Sequence, residues 1–316
     1  MTPPTPSDTR LPDDDGPDMS RPDEARHEPL TPPRPLFLAR QSVVEMTARQ
    51  RAHALLDPGS FRELLDPFER LESPWLARQG IVPQSDDGVV IARGTFGGEQ
   101  AVVAAIESAF QGGSMGEVSA MKIACALDLA RADHEAGRPV RPILFLETGG
   151  VRLQEANLGL GIIAEIHAAL VALRRLTPVV GILAGPVGCF GGMSLAAALC
   201  SHLIVTREAR LGMNGPEVIE QEAGIDELDA SDRRLVWSLL GGEQRYATGL
   251  ADALVDDDLD AVKRAVHKAF AHPRGPGHHR TEQIDLYLER LAPLDPSADL
   301  TGPTLRTLWP REDDHG

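Results

Sequence analysis

The feature that most constrains this chain is a unit that occurs twice: an apolar run, a turn containing two adjacent glycines, and then a helical segment. The first copy runs from Ile143-Leu144-Phe145-Leu146 through Glu147-Thr148-Gly149-Gly150-Val151-Arg152 to a segment that sets Ile162, Ile163, Ile166, Leu170 and Leu173 on one stripe. The second runs from Val179-Val180-Gly181-Ile182-Leu183 through Gly185-Pro186-Val187-Gly188-Cys189-Phe190-Gly191-Gly192 to Met193–Cys200, rich in small residues. Short continuous apolar runs are expected of strands buried on both faces. Paired glycines after such a strand let the main chain turn sharply and let a ligand approach its N–H groups. A chain that repeats strand, glycine turn and helix is α/β with a largely parallel sheet.

Upstream, Gly88–Ala92 and Ala101–Ile106 read as a β-hairpin joined through Gly97-Gly98. The glycine-rich Phe110–Gly116 loop then leads into a helix predicted from Glu117 to Gly137, with Ala120, Ile123, Ala124, Leu127 and Ala130 facing the core. A helix is predicted over Ser42–Leu56, and Ser60 is expected to cap a second one running towards Trp75. Downstream, Leu203–Thr206 reads as a strand, Asp229–Leu240 as a helix, Gly249–Val255 as a turn into a short strand, and Leu259–Phe270 as a helix. His278 and His279, adjacent and without acidic or cysteine company, read as solvated loop residues.

Residues 1–35 hold ten of the 25 prolines and eight acidic residues with almost no large apolar side chains, so they are expected to be disordered. The foldable domain is expected over 36–290 and a C-terminal tail, ending in the acidic Glu312-Asp313-Asp314, over 291–316. A formal net charge of −16 argues against a nucleic-acid partner, since phosphate contacts need clustered Lys and Arg. No apolar stretch is long enough to span a bilayer and no signal-peptide pattern opens the chain, so a cytoplasmic location without a membrane partner is expected. Cys125, Cys189 and Cys200 have no metal-ligand spacing.

Three ordered motifs, Gly112-Gly113-Ser114-Met115-Gly116, Thr148 through Glu155, and Gly215-Pro216-Glu217-Val218-Ile219-Glu220-Gln221, resemble those of the carboxyltransferase branch of the crotonase superfamily. The stretch from Ala48-Arg49-Gln50-Arg51 to Ser60-Phe61 resembles that branch's first helix. Within the branch, Gly80–Gly88, Gly185–Met193 and Gly241-Gly242-Glu243-Gln244-Arg245 are similar to the beta subunits of biotin-independent malonate decarboxylases. The match covers about Ser42 to Asp258, most of the foldable chain. The four-cysteine zinc ribbon that precedes this domain in the bacterial acetyl-CoA carboxylase beta subunit has no counterpart, which makes a biotin carboxylase partner less expected.

The resemblance implies a crotonase-like spiral of ββα units, assembled with a homologous gamma subunit, an acyl carrier protein subunit and a carrier-transferase alpha subunit. It also implies that no cofactor or metal is bound directly and that the substrate, a malonyl thioester, arrives on a CoA-like prosthetic group of the carrier. Loss of CO2 from such a thioester leaves an enolate whose charge collects on the thioester oxygen, and N–H donors fixed there lower the barrier. Carried onto this sequence, one donor is the N–H of Val151, presented by Gly149-Gly150; the other is that of Gly192 or Gly191. Gly112, Gly113, Ser114, Met115, Gly149 and Arg152 are expected to line the substrate. Several side chains keep two readings. Arg152 and Lys122 hold an anionic group or form structural ion pairs, and Ser114 lines the substrate or caps the following helix. Glu147 and Glu155 donate a proton or serve as ion-pair and capping residues, and Cys189 is a buried small hydrophobe rather than a nucleophile. Two other functions remain open: a carboxyltransferase half that passes the carboxyl group to biotin, and a non-catalytic subunit that docks the carrier.

Overall fold

The computed structural model describes residues 40–78, 80, 87–155, 157–295, 298 and 301–311. The proline-rich segment 1–35 and Glu312-Asp313-Asp314 lie outside them. Seven strands form one sheet in sequence order: β1 (Arg62–Leu64), β2 (Val89–Phe96), β3 (Glu99–Ile106), β4 (Arg141–Phe145), β5 (Val180–Leu183), β6 (His202–Thr206) and β7 (Ala253–Val255). The first three pair antiparallel and β3 to β7 pair parallel. The predicted hairpin is β2–β3, with Phe96 opposite Glu99 across Gly97-Gly98.

Alternation along the strands feeds two cores, because successive side chains leave opposite faces. Ile91, Val102, Ala104, Ile106 and Leu144 face α3 (Glu117–Glu135), α4 (Asn157–Leu173) and α5 (Gly192–Leu199). Val90, Ala92, Val103, Ala105, Ile143, Phe145, Ile182 and Ile204 face α1 (Ala48–Leu55) and α9 (Leu259–Ala271). The remaining helices are α2 (Pro74–Arg78), α6 (Pro216–Ala223), α7 (Arg233–Leu240), α8 (Gly242–Ala247), α10 (Ile284–Leu291) and α11 (Gly302–Leu308). No helix among the described residues is long and apolar enough to cross a membrane.

Four expectations need correction. Helix α1 starts at Ala48, behind a Thr47–Gln50 capping box, rather than at Ser42. The N–H groups of Val43 and Val44 bond the Asp257 carboxylate at 2.7 and 2.9 Å, which takes that backbone out of a helical ladder. Ser60 caps no helix: its hydroxyl accepts the Thr95 N–H at 3.0 Å, and the chain after it forms β1 against β2. His279 is 4% exposed rather than solvated, whereas His278 is exposed. The expected tail from 291 contains α11, docked through Gln244 Nε2 to the Gly302 carbonyl at 3.1 Å and Arg306 Nε to Gln244 Oε1 at 2.6 Å. Arg311 extends that contact by donating to the carbonyls of Ala251 and Asp252.

Candidate active site

At the C-terminal ends of the parallel strands the chain leaves the sheet in loops that pair with one another. Isolated parallel bridges join Met115 to Val151, Thr148 to Cys189, and Cys189 to Leu211, and an antiparallel one joins Arg210 to Gly241. Met115 N donates to the Gly150 carbonyl at 2.8 Å and the Met115 carbonyl accepts Arg152 N at 2.8 Å. Gly149 N reaches the Gly112 carbonyl at 2.9 Å, Thr148 N the Gly188 carbonyl at 2.7 Å, and Phe190 N the Thr148 carbonyl at 3.1 Å. The three glycine-rich stretches singled out in the sequence are therefore one assembly. Gly112 and Met115 act in it through backbone groups, and the Met115 side chain points into the core.

Within this assembly the two double-glycine turns touch. A Cβ on Gly191 would lie 3.5 Å from the Gly150 Cα, and one on Gly150 would lie 3.7 Å from the Phe190 carbonyl oxygen. Both glycines have positive φ, 113° for Gly150 and 61° for Gly191, a conformation that favours glycine. Hydrogen bonding then sorts the candidate donors. Gly150 N is held by Thr148 Oγ1 at 3.0 Å and Gly191 N by the Met213 carbonyl at 2.8 Å. Among the described residues, the N–H groups of Val151 and Gly192 have no such acceptor. Of the two alternatives for the second donor, Gly191 is thus committed and Gly192, the first residue of α5, is left open. Helix starts leave such N–H groups unsatisfied and carry positive potential.

Residues that position this edge were not all legible. His167, on α4, bonds the Gly192 carbonyl through Nε2 at 2.8 Å, and Ser194 Oγ donates to the Gly191 carbonyl at 2.7 Å. A lone His on an amphipathic helix gives no sign in sequence of reaching a turn 25 residues away.

The charged candidates resolve towards structural roles. Arg152 is 6% exposed, and its guanidinium donates to Ser114 Oγ (3.3 Å), the Ser114 carbonyl (2.9 Å), the Asp87 carbonyl (3.1 Å) and Glu155 Oε1 (3.1 Å). These four bonds tie the side chain to the loop it organises. Ser114 is Arg152's partner and not a cap; Gly116 N pairs with Ser119 Oγ at the start of α3 instead. Gly113 packs so closely on the Glu147 carbonyl that a Cβ would overlap it. Glu155 accepts Glu117 N at 2.6 Å, and Lys122 bonds Asp87 Oδ1 at 3.2 Å and the Val89 carbonyl at 2.5 Å. Glu147 is 2% exposed and paired with Arg51 at 2.6 Å. Both glutamates therefore take the ion-pair and capping reading. Burial pushes the Cys189 thiol far above its ordinary range, which leaves it an inert hydrophobe.

The seven-stranded sheet, with two adjoining glycine turns at the carboxyl ends of its parallel strands, has the architecture of a crotonase-like carboxyltransferase domain. Residues 42–296 match the carboxyl transferase domain family, and the chain belongs to that family. It is similar to a chain of a Pseudomonas malonate decarboxylase hetero-tetramer solved with malonate, at 62% identity and a TM-score of 0.83, covering 86% of this chain and 99% of that one. It is also similar to malonyl-S-ACP:biotin-protein carboxyltransferase of Malonomonas rubra, 39% identical over 243 residues, 74% of this chain and 76% of that protein. A transcarboxylase 12S structure is 30% identical with a TM-score of 0.59, and the match covers 71% of this chain and 41% of that one.

Proposed function

We propose that this chain is the beta subunit of a malonate decarboxylase, converting malonyl-S-acyl carrier protein to acetyl-S-acyl carrier protein and CO2 beside a homologous gamma-type subunit. The observation that carries this reading is the 62% identity to Pseudomonas malonate decarboxylase across 99% of the matched chain. In the reaction the bond between the α carbon and the carboxylate breaks, and its electron pair moves into the enolate as CO2 departs. Charge gathers on the thioester oxygen, where the N–H groups of Val151 and Gly192 would receive it, and a proton then adds at the α carbon. One such donor is typically worth about 3 kcal/mol, roughly a hundredfold in rate. Gly112, Gly113, Ser114, Met115 and Gly149 hold the first turn in place, with Arg152 behind them.

Exposed Leu153, Leu160, Leu195 and Met213 lie on or beside the turns, which supports closure of the site by the gamma subunit. The carrier's CoA-like arm would bring the acyl group there, loaded by a carrier-transferase alpha subunit. A second reading follows from the 39% relative, whose name describes transfer of the carboxyl group to a biotin protein. Avidin separates the two. Release of CO2 from malonyl-carrier by the reconstituted complex is expected to persist with avidin present, and complete avidin sensitivity would replace decarboxylation with biotin transfer.

A further inference from the structure

We propose that Glu147 is a positioning residue that locks the two glycine turns into one register through the Val187 N–H, so that both free donors meet a single oxygen. The inference rests on reading those turns as thioester oxyanion donors. Glu147 is the residue before Thr148, so its main chain begins the first turn. Its side chain reaches the second: Oε1 accepts Val187 N at 3.2 Å, while Oε2 takes Arg51 Nη1 at 2.6 Å. The carboxylate lies so close over Gly185 that a Cβ there would overlap it. Arg51, 3% exposed, is itself fixed by the carbonyls of Val43 at 2.8 Å and Val44 at 3.1 Å. Arg210 holds the same short segment, donating to the Pro186 carbonyl at 2.8 Å and the Val187 carbonyl at 3.4 Å. The second turn is thus gripped at its start by two side chains of opposite charge, one of which is rooted in the first turn.

A buried ion pair as such need not stabilise a fold, since well-packed apolar residues often replace one without loss. What an apolar residue at 147 cannot supply is an acceptor for Val187 N–H. Catalysis by fixed donors is sensitive to placement, a shift of about 1 Å costing up to roughly a hundredfold. The carboxylate oxygen aimed at the turn, rather than the charge pair, is therefore the part that matters to the reaction.

The test compares two double variants in the full chain assembled with its partner subunits: Arg51→Met with Glu147→Gln, which keeps a carbonyl acceptor, and Arg51→Met with Glu147→Leu, which does not. With malonyl-carrier as substrate, the Gln variant is expected within about threefold of wild-type kcat, while the Leu variant falls roughly ten- to a hundredfold, KM staying within about twofold in both. Equal kcat in the two overturns the coupling. If either fails to assemble, an ester in place of the Val187 amide removes the N–H while leaving the Arg51–Glu147 pair intact. A drop in kcat without a change in KM is then expected, and wild-type kcat overturns the coupling. A wild-type complex that releases no CO2 from malonyl-carrier is a different result, which overturns the functional reading itself.

Discussion

The two ends of the sheet solve opposite problems. At the carboxyl ends of the strands, the glycine turns present uncharged N–H groups, and the buried charges stand one layer back, as Arg51–Glu147 and Arg152–Glu155. At the other end, Asp252 pairs with Arg274 at 2.5 Å and Arg280 at 2.6 Å, and Arg174 pairs with Glu282 at 3.2 Å, with His202 and His279 alongside. These groups fasten the 272–283 segment and the start of β6, to which Asp252 contributes an acceptor for Leu203 N at 2.6 Å. On the proposed reading of the site, charge placed for stability is bound to partners, whereas donors placed for chemistry are left without them.

The largest test of that contrast is Asp252→Ala. It strips two arginines of their shared carboxylate, and breaking a buried pair from one side typically costs about 3–5 kcal/mol. Urea unfolding should register a loss of that order, with kcat per folded complex unchanged. A variant of wild-type stability, or one that is stable but inactive, would erase the distinction between the two ends.

At the carboxyl end the matching test is an ester in place of the Gly192 amide, which deletes one N–H without adding a side chain beside Ile163. Loss of a single donor of this kind should lower kcat by roughly a hundredfold or more, or about 3 kcal/mol, with little change in the unfolding midpoint. Turnover at the wild-type rate in an assembled complex would favour the subunit that only docks the carrier.

The two ends should also part company with pH. Burial holds the imidazoles of His202 and His279 below their ordinary pKa, so the folded chain keeps them neutral where the unfolded chain takes up protons. Their contribution is complete above the unfolded value of about 6.5 and is lost as pH falls through it towards the lower folded values. Burial raises the Asp252 carboxyl, but Arg280, Arg274 and the Leu203 N–H outweigh that and hold it below the usual carboxylate range. Its contribution is present above about 3.9 and goes as pH drops through the depressed folded value. Thermal unfolding should therefore show a first loss of stability below about pH 6.5, reduced in a His202→Gln/His279→Gln variant, and a second in stronger acid. Backbone N–H groups do not titrate, so substitution of these histidines should leave the pH profile of kcat in place.

What was legible in the sequence follows this division. Strands β2 to β6 and helices α3, α4 and α9 were visible because apolar periodicity is a local signal, and Gly149-Gly150 and Gly191-Gly192 because the unit of apolar strand, double-glycine turn and helix occurs twice. The choice between Gly191 and Gly192 was not visible, since it depends on Met213, a residue on another loop that accepts one N–H and leaves the next open. The same holds for Arg152, whose partners Asp87 and Ser114 come from segments 65 and 38 residues away. Helix α11 was missed because a short, proline-containing segment carries little periodicity, and its docking depends on Gln244 and Arg306.

The smallest expected effect concerns the layer behind the turns. Thr47 closes a reciprocal box at the head of α1, its hydroxyl accepting Gln50 N at 3.2 Å and its own N–H reaching Gln50 Oε1 at 2.9 Å. Thr47→Ala should cost about 1 kcal/mol, the usual value of an N-cap. Helix α1 also carries Arg51, whose guanidinium is held by Val43 and Val44 upstream of the cap. Because that hold does not pass through Thr47, the helix can fray at its first turn without moving Glu147. The unfolding midpoint should therefore fall slightly while kcat on malonyl-carrier stays at the wild-type value. A fall in kcat beyond the small change in folded fraction would mean that α1 transmits strain to the glycine turns, and that the charged layer and the uncharged donors are less separate than their hydrogen bonds imply.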